Sequence, residues 1–153
     1  MAGKRKANIN GKFENRVREK IADVLDIPII NYSKINKSTP KDNIIINNNP
    51  TKSRWSAMLK NGHRGDGLVL YGNKKYWIES KFQDVGGSVY QKYDFIIEQL
   101  KLLTDEVGLV VFGGKETKHH VDIFKQVLNA EGIAAHVLYG EKEVENFFKN
   151  IIE

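Results

Sequence analysis

Apolar residues at Phe13, Val17, Ile21, Val24 and Leu25 recur at helical spacing and predict an amphipathic helix over residues 12–25. Pro28 stops it. The periodicity then fails. Residues 28–64 are dominated by Asn, Lys, Ser and Thr, with Pro40 and Pro50 as breakers. Inside this stretch Ile44-Ile45-Ile46 reads as a short strand and Asn47-Asn48-Asn49-Pro50 as a turn. Ser53 to Lys60 reads as one or two helical turns. A compact domain rarely leaves so long a segment idle, so it reads as either a binding excursion or a partly disordered one.

Beyond it the pattern is regular. Gly67 to Tyr71 predicts a strand, Gly72-Asn73 a turn and Lys75 to Phe82 a second strand. Gly86-Gly87 breaks that strand, and Ser88 is a plausible N-cap for a helix with Val89, Tyr93, Ile96, Ile97, Leu100 and Leu103 on one stripe. The continuous apolar run Val107 to Phe112 predicts a buried strand ended by Gly113-Gly114. A helix over 117–130, a strand from Ala134 to Tyr139 and a helix over 141–152 complete the order. Together these elements predict one α/β domain spanning residues 1–153, with a mixed central sheet flanked by helices on both faces and a basic polar insert at about 28–64.

Composition narrows the classes. At 153 residues and 17.5 kDa, with 41% hydrophobic residues, the chain can bury a core. No run approaches the ~18 apolar residues of a membrane span. Met1 to Gly11 is basic and polar and lacks the apolar segment of a secretory signal. There is no cysteine, which excludes disulfides and thiolate metal sites. A cytosolic protein without membrane attachment is the expectation.

The net charge of +5 and a pI near 9.3 favour a polyanionic partner. The distribution adds to this. Lys4, Arg5 and Lys6 form a basic arm. Lys34, Lys37, Lys41, Lys52, Arg54, Lys60 and Arg64 are spread through the polar middle, where Asp26 and Asp42 are the acids, while the C-terminal third is more acidic. Such asymmetry suggests one face for DNA and another for the core or a partner.

The strand from Lys75 to Gln83 carries the candidate chemistry. Alternation places Trp77, Glu79, Lys81 and Gln83 on one face, and Ile78, Ser80 and Phe82 on the other. A Glu and a Lys two residues apart on one face can be an ordinary ion pair on a solvated sheet. Asp66, in Gly65-Asp66-Gly67, is either a turn residue or a second acid near Glu79 if residues 67–71 and 75–82 form a hairpin. Two such carboxylates can hold a hard divalent cation through oxygen, and that cation can polarise a phosphate oxygen. Lys81 would lie beside it, placed to stabilise negative charge or to orient an attacking water.

Here the sequence resembles the PD-(D/E)XK nuclease superfamily, whose motif is an acid at a strand start followed by acid, any residue and Lys on the next strand. The matching residues are Asp66 and Glu79-Ser80-Lys81; Gly65 stands where the motif has proline. Glu79-Ser80-Lys81-Phe82-Gln83, then Gly87-Ser88 and Lys92, is similar to a pattern of some type II restriction endonucleases. Gly11-Lys12-Phe13-Glu14-Asn15-Arg16-Val17 resembles the first-helix motif of Holliday-junction resolvases. The resemblance covers about residues 11–112 with gaps. It implies a restriction endonuclease-like core. It also implies Asp66, Glu79 and the Ser80 carbonyl as ligands of magnesium, with manganese as substitute, and Glu14 as a direct or water-mediated ligand. Lys81 would be the catalytic lysine and Gln83 an auxiliary group near the scissile phosphate. For Glu14 a solvated first-turn acid remains an alternative, and for Gln83 a plain strand-end residue.

Other residues carry less. Lys92 suits a phosphate contact or a solvated helix face. His63 and Arg64 precede Asp66, and Trp55 and Tyr32 suit either base stacking or loop anchoring. His119-His120 lacks the spacing of helical zinc ligands, and Gly113-Gly114-Lys115 lacks the full phosphate-loop pattern. The reading that results is a magnesium-dependent endonuclease acting on duplex DNA. The competing readings are a structure-selective junction resolvase and a DNA-binding protein that keeps the fold without cutting, with RNA as a further possible target. Paired cuts on antiparallel strands favour a homodimer. The apolar side of the last helix, with Val144, Phe147, Phe148, Ile151 and Ile152, serves as its candidate interface or as ordinary core.

Overall fold

The computed structural model describes residues 2–49, 65–83 and 90–153. The expected helical turns at Ser53 to Lys60 and the Gly86-Gly87-Ser88 helix start lie outside the described residues. So do Lys52, Trp55, His63, Arg54, Lys60 and Arg64.

Helix α1 spans Ala2–Leu25, longer at its N-terminus than the periodicity indicated and running through the basic arm. Phe13, Val17, Ile21 and Leu25 repeat every four residues and are buried together. The helix ends in a left-handed residue, Asp26 at φ 54°. The Ile27 N–H then reaches back to the Ala22 carbonyl at 3.1 Å, the six-to-one bond of a Schellman cap. Ile27 is buried against the same core, so the stop comes one residue before Pro28 can enforce it.

Six strands form one sheet in the order β1-β2-β3-β4-β5-β6: β1 Ile29–Asn31, β2 Ile44–Asn47, β3 Gly67–Tyr71, β4 Lys74–Phe82, β5 Val107–Gly113 and β6 His136–Tyr139. The sheet is mixed. β3 runs antiparallel to β2 and β4, and the remaining pairs are parallel. β1 was not foreseen; three residues are too few for a period to show, and pairing with β2 through Ile29 and Ile45 creates it. The polar middle therefore contributes two strands to the sheet. A 3-10 turn at Tyr32–Lys34 follows β1, with the Asn31 side chain accepting from the Ser33 N–H.

The other helices among the described residues are α2 Tyr90–Leu102, α3 His120–Ala130 and α4 Gly140–Ile152. Residues Lys115–Thr117 form a separate 3-10 turn, and the helix expected from residue 117 starts at His120. β6 starts at His136, later than the expected Ala134.

β5 is buried from both sides, as its unbroken apolar run predicts. Leu109 and Val111 face α1 and α4, with Val69, Tyr76 and Ile78 beside them. Val110 and Phe112 face α2 and α3, with Trp77 and Val137. Val144 and Phe148 of α4 are fully buried in the first of these layers. They are core residues, and the suggested dimer surface on α4 loses them; Ile152 stays exposed. No helix among the described residues is long and apolar enough to cross a membrane.

Candidate active site

The β3–β4 hairpin sets the geometry. Gly72 and Asn73 both have positive φ, 58° and 62°, as a two-residue type I′ turn requires. That turn pairs Tyr71 with Lys74 and, at the far end, Gly67 with Ile78. One step further the same register sets Asp66 opposite Glu79. The Asp66 carboxylate accepts a hydrogen bond from the Ser80 N–H at 2.7 Å, which ties the first acid to the strand of the second.

Lys81 lies on the same face of β4 as Glu79, with its Nζ 3.1 Å from Glu79 Oε1. Glu79 is 6% exposed. Glu14 reaches the same end of the hairpin from α1, where its carboxyl and that of Asp66 are close enough to hydrogen-bond. The structure thus brings together Glu14, Asp66, Glu79 and Lys81. Ser80 is buried on the opposite face of β4, and its hydroxyl oxygen has no hydrogen-bond partner among the described residues.

The electrostatics follow from burial. Desolvation, then repulsion from Asp66, pushes the Glu79 carboxyl up to about 8 despite the opposing pull of Lys81. Glu14 rises to about 7, again first by burial and then by Asp66, with Arg18 opposing. Burial alone would lower Lys81, but Glu79 and Asp66 outweigh it and hold the ammonium above its ordinary value. Three carboxyls share a site with too little positive charge to neutralise them.

Sequence reasoning missed three supports of Asp66 and the strand ends. Arg18, one helical turn beyond Glu14, donates to the Asp66 carbonyl at 2.5 Å and also holds Asn15. Asn49, 4% exposed, accepts from the Gly65 N–H through its backbone carbonyl at 2.7 Å. Its side chain covers Gly65 so closely that a Cβ there would lie 2.9 Å from Asn49 Nδ2. A larger residue than Gly65 would therefore displace the Asn49 side chain. The third support is the Gly113-Gly114 turn, whose Gly113 carbonyl accepts from the Gln83 N–H at 3.0 Å and extends the β4–β5 ladder. The i,i+4 spacing of Glu14 and Arg18 was the one available signal for any of them.

The basic residues divide. Lys34, Lys37 and Lys41 are exposed. Lys41 precedes Asp42, whose carboxylate accepts from the Asn73 N–H at the turn of the hairpin, the end remote from Asp66. Lys92 falls in α2, and its side chain lies outside what is described. His120 is buried and hydrogen-bonds the Tyr93 hydroxyl at 2.8 Å, a core pairing.

No group of three acidic, His or Cys side chains among the described residues forms a ready-made metal cage. The donors at the hairpin end nevertheless suit a hard cation. They are all oxygens, Glu79 is buried with Glu14 and Asp66 partly so, and Asp66 raises the proton affinity of both glutamates. A family model described as a PD-(D/E)XK nuclease superfamily domain matches residues 19–147. No curated protein and no solved structure matches the chain.

Proposed function

The chain belongs to the PD-(D/E)XK nuclease superfamily, and on that premise we propose that it is a divalent-metal-dependent endonuclease hydrolysing phosphodiester bonds in duplex DNA, in the cytosol. The observation that carries this reading is the hairpin register, which sets Asp66 beside Glu79 with Lys81 on the same face. A binding module has no use for carboxylates gathered where they would repel phosphate.

Asp66 and Glu79 would hold magnesium or manganese, with the Ser80 carbonyl and Glu14 as further oxygen donors. Bound there, the ion supplies Lewis acidity toward a phosphate ester. The protein's own residues do the rest. Lys81 stays protonated beside Glu79 and stabilises negative charge on the phosphate as water oxygen bonds to phosphorus and the ester oxygen leaves. Gln83, next on the same face, orients the phosphate. Glu14, entering from α1 beside Asp66, would hold the ion directly or through a bound water. Exposed Lys34, Lys37 and Lys41, with Lys52, Arg54, Lys60, Arg64 and Lys92, are proposed backbone contacts on DNA. A homodimer would present equivalent sites to the two antiparallel strands.

A junction resolvase is the second reading, favoured by the way Glu14 enters the site from α1. Linear duplex, supercoiled plasmid and a four-way junction, each with magnesium, manganese or EDTA, separate the possibilities. We expect cleavage of duplex with either ion and none in EDTA. Preferential paired nicks at the junction would favour the resolvase, and full activity in EDTA would overturn the metal-dependent mechanism. Light scattering on DNA should give about twice 17.5 kDa; a monomer that only nicks would remove the dimer and leave the site assignment intact.

A further inference from the structure

The exit turn of β5 bears on the end of β4. Gly114 has φ 90°. A Cβ at Gly114 would overlap the Gln83 carbonyl oxygen, with the carbonyl carbon 2.6 Å away and the Gln83 nitrogen 2.9 Å away. These are backbone atoms of a residue already hydrogen-bonded to Gly113, so neither side can yield.

Two hydroxyls also hold this turn. Tyr139, the last residue of β6, donates to the Gly114 carbonyl at 2.7 Å. Thr117, 1% exposed, places its hydroxyl 2.7 Å from the Gly113 carbonyl and 3.2 Å from that of Gly114. Two consecutive glycines have wide conformational freedom when nothing restrains them. Here hydroxyls from two different elements converge on adjacent carbonyls, which is more than is needed to satisfy them. The surplus restrains the turn, and the turn restrains Gln83.

We propose that Tyr139 and Thr117 are positioning residues that act through Gly113-Gly114 to fix Gln83 and the β4 end carrying Lys81 against the scissile phosphate. Neither touches substrate. The proposal rests on the reading of Glu79, Lys81 and Gln83 as the reaction site.

The test uses the full chain with duplex DNA and magnesium, comparing wild type with Tyr139→Phe, Thr117→Val, Thr117→Ser and Lys81→Ala well below their melting temperatures. Tyr139→Phe and Thr117→Val should each lower kcat about five- to tenfold with KM within about twofold, since a sub-ångström displacement spoils the approach without weakening binding. Thr117→Ser keeps the hydroxyl and should restore kcat. A purely structural role would lower melting temperature and leave kcat per folded molecule unchanged. Tyr139→Phe and Thr117→Val at the wild-type kcat, or Thr117→Ser as slow as Thr117→Val, would overturn the positioning role while Lys81→Ala still showed the site to be correct. A wild type that cuts nothing would instead overturn the reading of the site, and this proposal with it.

Discussion

Two glutamates of this protein each sit beside lysine, and their chemistry is opposite. On the outer face of α4, Glu145 lies 2.9 Å from Lys142 and 3.5 Å from Lys149. The hydrogen bond from Lys142 holds its carboxyl below the ordinary value. At the hairpin end, Glu79 lies 3.1 Å from Lys81, yet its carboxyl is driven up to about 8. The contact distances are alike, so the ion pair does not decide the outcome. Water and neighbours do: Glu145 keeps 20% of its side chain exposed beside two lysines, whereas Glu79 keeps 8% and has Asp66 and Glu14 close by. An acid at the surface needs only its partner, and a cluster of buried acids needs a further positive charge.

The largest break in this comparison should come from removing members of the buried set. Lys81→Ala, Glu79→Ala and Asp66→Asn should each reduce cleavage by about a thousandfold or more in single-turnover assays, while circular dichroism shows a folded chain. Glu79→Ala and Asp66→Asn should also lose manganese affinity, which Lys81→Ala should keep. Glu14→Ala should be milder, about ten- to a hundredfold. Lys81→Ala cutting at the normal rate would remove the shared-face reading of β4.

Moving pH sharpens the contrast. Glu79 and Glu14 rise from 4.5 to about 8 and about 7 in the folded protein. Between those values the unfolded chain has released protons that the folded chain still holds. Their stabilising contribution is therefore complete below about pH 4.5 and is lost as pH rises toward 8, at up to about 1.4 kcal/mol per pH unit for each fully retained proton. In EDTA the melting temperature should fall from pH 5 to 8. Magnesium or manganese should restore it at pH 8, and Glu79→Gln should flatten the slope. Glu145 works in the other direction, its depressed value giving stability that is lost on acidification. A flat melting profile from pH 5 to 8 in EDTA would show that the acids at the hairpin end are solvated like Glu145.

Gly65→Ala tests the backbone beneath the buried set. Its methyl group would press on Asn49 and shift Asp66, lowering turnover about tenfold. Adding Asn49→Ala opens the space and should recover part of the rate; strictly additive losses would separate Asn49 from the placement of Asp66.

The smallest effect should be at the surface. Glu145→Ala removes both lysine contacts of α4 and should move the melting temperature by no more than about 1–2 °C, with cleavage unchanged. A larger loss would mean that the exposed pairs matter to this fold as much as the buried ones.

The hairpin was legible because period-two alternation and a Gly-Asn turn are local signals, and together they set the register that aligns Asp66 with Glu79. The core strand β5 was legible from its run of apolar residues. β1 was not, because its three residues gain their conformation only by pairing with β2. Asn49 was invisible for a related reason, and Arg18 showed only through its i,i+4 spacing from Glu14. Their partners Asp66 and Gly65 are distant in sequence, and an Arg on a helix or an Asn after a strand carries no mark of the partner it will find.

The sequence by itself determined the helices and strands with a strong hydrophobic period, the absence of thiolate ligands from any metal site in a chain without cysteine, and the spacing of Glu79 and Lys81 on one strand face. Each depends on residue type or on neighbours a few positions apart. The tertiary structure alone decided that Glu79 is buried, that Glu14 comes from α1 to raise the acid count, and that Val144 and Phe148 belong to the core. Those outcomes depend on which surfaces lose water when distant segments pack. That loss turns a common Glu–Lys pair into a site whose two glutamates hold their protons near neutral pH.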